Sequence, residues 1–311
     1  MATLLITHDD CDKHVTPEGH PEQVARLAYI RAVLDGPEFD QLSRMEAPMG
    51  SEAQIVMAHP QRYIDRVKSA VPTSGYASLD GDTHLAPGSL TAAYRGVGAV
   101  TEAVEQVMRG DATNAFCAIR PPGHHAEHET AMGFCLFGNV AIAAKILRVQ
   151  HGLSRVAVVD FDVHHGNGTE DLVKDDAGIL FISSHQMPLY PGTGYPSETG
   201  PHGTIMNVAL PPGSKGTEMR HAYQTAIFPR LRNFDPEFIL VSAGFDAHAA
   251  DPLAQLMWLE EDYAWLTREL CKIARDHCGS RLVSVLEGGY DLDAIAASAA
   301  IHVQVLMEES R

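Results

Sequence analysis

The chain has 311 residues, 45% of them hydrophobic and 20% charged, which suits a soluble globule with a substantial core. Its 40 acidic residues against 23 basic ones give a net charge of −17, and no Lys/Arg cluster is available to build a basic face. That balance argues against DNA or RNA as a direct partner.

The first residues, MATLLITHDD, lack the basic start and long apolar run of a signal peptide. The five cysteines show no CxxC spacing, which suits a reducing cytoplasm, the expected location. Apolar, β-branched runs predict strands at 3–8, 115–120, 155–161, 178–184, 204–210, 236–243 and 281–287. Helical patterns fall between them, at about 21–35, 89–109, 138–150, 216–233, 259–277 and 291–308, with Asp291 placed to cap the last. AIAASAAIHVQVLM, inside that last helix, is too short and too interrupted for a membrane span, so no membrane is expected as a partner. Cys271 and Cys278, seven apart in a helical pattern, are expected as core neighbours and not as a disulfide. The alternation predicts an α/β fold with a mostly parallel central sheet and helices on both faces. No repeat, low-complexity tract or linker divides the chain, so one catalytic domain over 1–311 is expected.

Five of these strands release polar or aromatic residues at their carboxyl ends: AFCAIR into PPGHHA, RVAVVDF into DVHHGNG, GILFISS into HQMPLYPG, PEFILVSA into GFDAHAADPL, and RLVSVLE into GGYD. Ligands of open α/β sheets bind at that edge. Side chains alternate faces along an extended strand, so Asp160, Asp162 and His164 point one way, and Asp162 and His164 can chelate one ion with Asp246 as a third ligand. Two carboxylates and an imidazole without a thiolate suit Zn²⁺ or Fe²⁺ and leave a coordination position open. Asp-x-Asp-x-His can also be a hydrogen-bonded cluster, and Asp246 alone can be turn chemistry. His124 and His125, presented by a Pro-Pro-Gly turn, offer proton transfer near neutral pH, although such a pair can also be two exposed loop imidazoles. Tyr290, after two glycines, can bring its phenol close to a reacting carbonyl, or can pack at a helix start.

Taken together, RPPGHHA, GFCLFGNVAIAA, VDFDVHHGNGTE, SSHQ…PLYPGTG, SAGFDAH…DPL and EGGYD resemble the histone deacetylase and acetylpolyamine amidohydrolase superfamily, in its bacterial class II-like form. GHPEQVARL is similar to that family's early motif. The resemblance implies an arginase/deacetylase-like fold and a zinc-dependent deacetylase of linear amides. Its substrate would be an acylated amine, either acetyl-lysine in a peptide or a small molecule. Asp162, His164 and Asp246 would be the zinc ligands, His125 the general base and acid, and His124 its electrostatic partner, oriented by Asp160. Tyr290 would bind the amide carbonyl as water activated at the metal attacks, releasing acetate and an amine.

The resemblance further implies Phe134 and Tyr190 as aromatic walls of an acyl-lysine tunnel lined also by Gly133 and Leu253. A structural K⁺ site would use Asp160, Ser183 and the backbone near Asp162, His164 and Ser184, and Arg26 would lie near an internal exit channel. Asn167 stands where class I members carry an aspartate beside the catalytic histidine, and a neutral partner predicts a lower pKa for His125. A polyamine hydrolase, a binuclear manganese ureohydrolase and a silent acyl-group binder are the competing readings.

Overall fold

The computed structural model describes residues 2–310. Ten strands run in chain order: β1 (Thr3–Thr7), β2 (Ser43–Glu46), β3 (Ala77–Ser78), β4 (His84–Leu85), β5 (Asn114–Cys117), β6 (Val156–Asp160), β7 (Ile179–Gln186), β8 (Ile205–Leu210), β9 (Phe238–Ala243) and β10 (Leu282–Leu286). Eight form one sheet in the order β2-β1-β5-β10-β9-β6-β7-β8. Every pairing in it is parallel. β3 and β4 make a separate antiparallel pair.

The helices are α1 (Ala25–Leu34), α2 (Glu52–Ile55), α3 (Gln61–Ala70), α4 (Ser89–Arg109), α5 (Asn139–Val149), α6 (Asn167–Val173), α7 (Gly216–Ala222), α8 (Phe228–Phe234), α9 (Glu260–Cys278) and α10 (Leu292–Glu309). α4, α5 and α6 pack along one face of the sheet; α1, α9 and α10 pack along the other. Central strands covered on both sides are largely apolar, and all residues of β5, β6, β7, β9 and β10 are buried, the few polar ones included. The two faces share one continuous hydrophobic core.

The expected strands and helices are present, the sheet being wholly parallel. Asp291 caps α10 by accepting the Ala294 N–H at 2.9 Å. Cys271 and Cys278 are free, buried thiols. Three local expectations are corrected. The helix expected from residue 21 begins at Ala25, because the preceding segment is a loop whose Glu22 is held by Arg120. The helix expected over 216–233 is split by a π-helical turn at Tyr223–Ile227. β6 ends at Asp160, so strand alternation does not carry Asp162 and His164. No helix among the described residues is long and apolar enough to cross a membrane.

Candidate active site

The carboxyl ends of β5, β10, β9 and β6 lie side by side, and the loops leaving them converge. Beyond Asp160 the backbone is turned by its own carboxylates: Asp160 Oδ1 accepts the Asp162 N–H at 3.1 Å, Asp162 Oδ1 accepts the His164 N–H at 2.9 Å, and Asp246 Oδ1 accepts the Val163 N–H at 2.8 Å. These bonds, in place of a continuing strand, bring Asp162, His164 and Asp246 together, each buried and with ligand atoms within 4.8 Å of one another. His164 Nδ1 is 3.1 Å from both Asp162 Oδ1 and Asp246 Oδ2. Burial opposes charge on His164, but its bonds to Asp162 and Asp246 outweigh that and carry the imidazole up to about 10. Burial and the charge of Asp162 push Asp246 up to about 7. The three side chains thus converge their donor atoms on one buried spot, and two carboxylates with one imidazole fit zinc.

Gly288 is required here. A Cβ at that position would lie 2.1 Å from Asp246 Oδ2 and 2.6 Å from Asp162 Oδ2. Its N–H instead donates to Asp162 Oδ2 at 2.8 Å.

The two histidines of the β5 loop differ in protonation. His124 Nδ1 sits 3.0 Å from Asp160 Oδ2, and its Nε2 is 3.8 Å from Asp162 Oδ2. Burial works against a charged His124, yet Asp162 and Asp160 outweigh it and hold the imidazole well above its usual range. For His125 burial, then the charges of His124 and His164, drive the imidazole well below that range. Its Nδ1 lies 2.7 Å from Asn167 Oδ1. Asn167 Nδ2 donates to Glu127 Oε1 at 2.8 Å, so the amide oxygen faces His125. His125 therefore carries its proton on Nδ1 and leaves Nε2 as an acceptor.

Tyr290 closes the opposite side. Burial, and then the charge of Asp246, push its phenol well above the usual range, so it remains a donor. A cavity of about 230 Å³ joins these groups, lined by Asp82, His125, Gly133, Phe134, His164, Leu189, Tyr190, Leu253 and Tyr290. The Phe134 ring lies 5.8 Å from that of Tyr290, and the Tyr190 ring lies 5.2 Å from that of His125. Gly133 has φ +54°, and a Cβ there would strike the His125 ring at 2.3 Å.

All the residues proposed from sequence for metal, relay and tunnel are thus brought to one cavity or lie directly behind it. Asp160 and Ser183 are register partners across β6 and β7. Ser183 Oγ bonds His185 Nδ1 at 2.9 Å, and Ser184 Oγ bonds the Tyr223 hydroxyl at 2.7 Å. Arg26 is fully buried, with its guanidinium 4.9 Å over the Tyr290 ring.

Sequence reasoning missed five supporting residues. Asp251 accepts the Tyr290 N–H at 2.7 Å and the Leu253 N–H at 2.9 Å, fixing phenol and tunnel wall together. Glu127 orients Asn167, while Glu22, Arg120 and Glu287 form buried contacts behind the loops. A charged residue terminating an apolar strand, as Arg120 and Glu287 do, was the available signal.

Comparison with known proteins gives the chain's family. The histone deacetylase domain matches residues 20–306. The chain belongs to the histone deacetylase family. It is 36% identical to a probable deacetylase of Archaeoglobus fulgidus, covering 99% of this chain and 89% of that one. The histone deacetylase-like amidohydrolase of Pseudomonas aeruginosa is 38% identical over 88% of this chain and 73% of its own. Among solved structures, the HDA15 HD domain superposes with a TM-score of 0.93 at 31% identity, covering 99% of this chain and 88% of that one. The fold is therefore the arginase/deacetylase fold, and membership supports deacetylase or amidohydrolase activity on acylated amines.

Proposed function

We propose that this protein is a zinc-dependent hydrolase of linear N-acyl amines, with acetyl-lysine or a related acylated amine as substrate. The observation that carries the reading is the pairing, in one aromatic-walled cavity, of a neutral, oriented imidazole with a protonated phenol beside a buried Asp-His-Asp triad. Asp162, His164 and Asp246 would hold the metal, with Fe²⁺ as an alternative to zinc. When bound, that ion supplies Lewis acidity toward the amide carbonyl and toward a water.

The chain's own groups do the rest. His125 Nε2 takes the proton of the attacking water, and the imidazole later returns a proton to the leaving amine nitrogen. Asn167 keeps the ring in the tautomer that this requires. His124, held charged between Asp160 and Asp162, lowers the proton affinity of its neighbour and offsets negative charge accumulating in the cavity. Tyr290 donates to the carbonyl oxygen as it gains charge, in the manner of an oxyanion hole. Phe134, Tyr190, Gly133 and Leu253 hold the amine's aliphatic arm and exclude bulk water. Asp160 and Ser183, with the backbone of Asp162, His164 and Ser184, would offer oxygen ligands to a structural K⁺.

Among the described residues Asp162, His164 and Asp246 form the one group of three His, Cys, Asp or Glu side chains placed to share a metal ion, which favours one catalytic ion over a binuclear ureohydrolase. The test is hydrolysis of an acetyl-lysine peptide by metal-loaded protein beside His125→Ala. Loss of turnover with retained metal and retained ligand binding supports the reading, and equal turnover in the two proteins contradicts it.

A further inference from the structure

Two buried carboxylates have no part in the chemistry above. Glu22 and Glu287 are both 0% exposed. Burying an ionised carboxylate costs several kcal/mol unless it is paired and hydrogen-bonded, so their partners reveal what each one holds.

Glu287 follows β10. Its Oε2 accepts the backbone N–H groups of Gly123 at 2.7 Å and His124 at 3.1 Å, and its Oε1 accepts the Ser242 hydroxyl at 3.1 Å. Its own backbone carbonyl accepts from Arg26 Nη2 at 2.6 Å. Arg26 Nε donates to the Gly289 carbonyl at 2.5 Å, so one guanidinium brackets the turn that presents Tyr290. The same guanidinium donates through Nη1 to Glu22 Oε1 at 2.9 Å. Glu22 in turn accepts from Arg120 on both its oxygens, from Nε and, at 2.6 Å, from Nη2. Arg120 immediately precedes Pro121-Pro122-Gly123-His124.

The contacts close on themselves. They run from Glu22 to Arg120, along the proline turn to His124, across to Glu287, through Arg26, and back to Glu22. β5 and β10 pair only as far as Cys117 and Val285, so the ladder ends several residues before His125 and Tyr290. Past that point no sheet hydrogen bond sets the height of one group against the other. Neither carboxylate lines the cavity; Arg120 lies a few positions before His124, and Arg26 donates to the backbone carbonyls just before Tyr290.

We propose that Glu22 and Glu287 are positioning residues that, through Arg120 and Arg26, lock the His124–His125 loop and the Tyr290 loop into one rigid frame. The frame fixes the separation between the proton-transferring imidazole and the carbonyl-binding phenol. This rests on the deacylase reading of those two groups. A misplacement of about 1 Å between reacting groups costs on the order of 10²-fold in rate, which is the scale at which such a frame acts.

The experiment compares Glu287→Ala with Glu287→Gln in metal-loaded protein, on an acetyl-lysine peptide. The glutamine keeps an oxygen acceptor for Gly123 and His124 and can donate to Ser242; the alanine keeps neither. In the alanine variant kcat is expected to fall about 10²-fold with KM nearly unchanged, while the glutamine restores most of kcat. Backbone amide exchange is measured in parallel. Protection should fall in the alanine variant at 123–124 and, through Arg26, at 288–290, with β6 and β9 unaffected. Arg120→Lys supplies an independent arm, because it loses the two-pronged pairing with Glu22 yet keeps the charge, and it too should loosen 288–290.

Parental kcat in Glu287→Ala, a glutamine variant as impaired as the alanine, or loosening confined to the loop that carries the substitution would each overturn the frame. The exchange measurement needs no turnover. A parent protein that hydrolyses neither the peptide nor N-acetylputrescine contradicts the deacylase reading, and the exchange data still decide on the frame.

Discussion

Replacing Asn167 by aspartate leaves a hydrogen bond to His125 in place and adds a charge to it. His125 Nδ1 is 2.7 Å from Asn167 Oδ1, so an imidazolium and a carboxylate there would have charge centres about 4 Å apart. At an effective dielectric of about 20, that attraction is worth roughly 4 kcal/mol, or about 3 pKa units. Glu127 reduces it. Its Oε1 now accepts from Asn167 Nδ2 at 2.8 Å and would instead face a second carboxylate. The shift expected is therefore upward by about 1–3 units. Because His125 must be unprotonated to act as base, the acidic limb of kcat/KM moves up by the same amount, and below that limb activity falls about tenfold per pH unit. The assay is a pH–rate profile of parent, Asn167→Asp, and Asn167→Asp with Glu127→Gln, the last expected to show the largest shift. An acidic limb that stays in place or moves down would refute the assignment of His125 as base with Asn167 as its neutral partner.

Tyr290→Phe removes the phenol while keeping the ring packed on Phe134; kcat is expected to drop about 10²–10³-fold with metal content unchanged, as elemental analysis alongside kinetics will check. Gly288→Ala drives a methyl group into the oxygens of Asp246 and Asp162, so the variant should bind substoichiometric metal, measured by elemental analysis after dialysis. Glu22 is opposed by burial but held by Arg120 well below its ordinary 4.5. Its folded pKa is depressed, so its contribution to stability is complete above the unfolded value and is lost as pH falls below about 4.5 toward the folded one. His59 and His302 act in the same direction at higher pH: burial lowers them to about 4 and about 3, so unfolded chains protonate first and stability declines as pH falls below about 6.5. Thermal midpoints measured from pH 8 to 4 should show this contribution by difference: His302→Gln should lose less stability than the parent as pH falls below about 6.5.

The central strands were legible because both of their faces are covered, which leaves uninterrupted apolar runs. β2 was not, since Ser43–Glu46 is a largely exposed edge strand with no apolar pattern, and only its pairing with β1 makes it a strand. α3 was legible in principle: Tyr63, Ile64 and Val67 are its buried residues at helical spacing. The histidines, aspartates and tyrosine of the site stood out as polar residues following apolar strands. What sequence spacing could not convey was the loop geometry after Asp160, where carboxylate-to-amide bonds replace strand alternation. Nor could it pair Glu22 with Arg120, 98 residues apart, or Glu287 with Gly123, 164 apart, because only the folded sheet makes them neighbours.

The most direct test of the central claim is to follow acetate release from an acetyl-lysine peptide and from N-acetylputrescine, using zinc-loaded protein, zinc-stripped protein and zinc-loaded His125→Ala. Turnover of at least one substrate that requires both the metal and His125 is the predicted result. Zinc bound at one ion per chain with no hydrolysis of either substrate would contradict it.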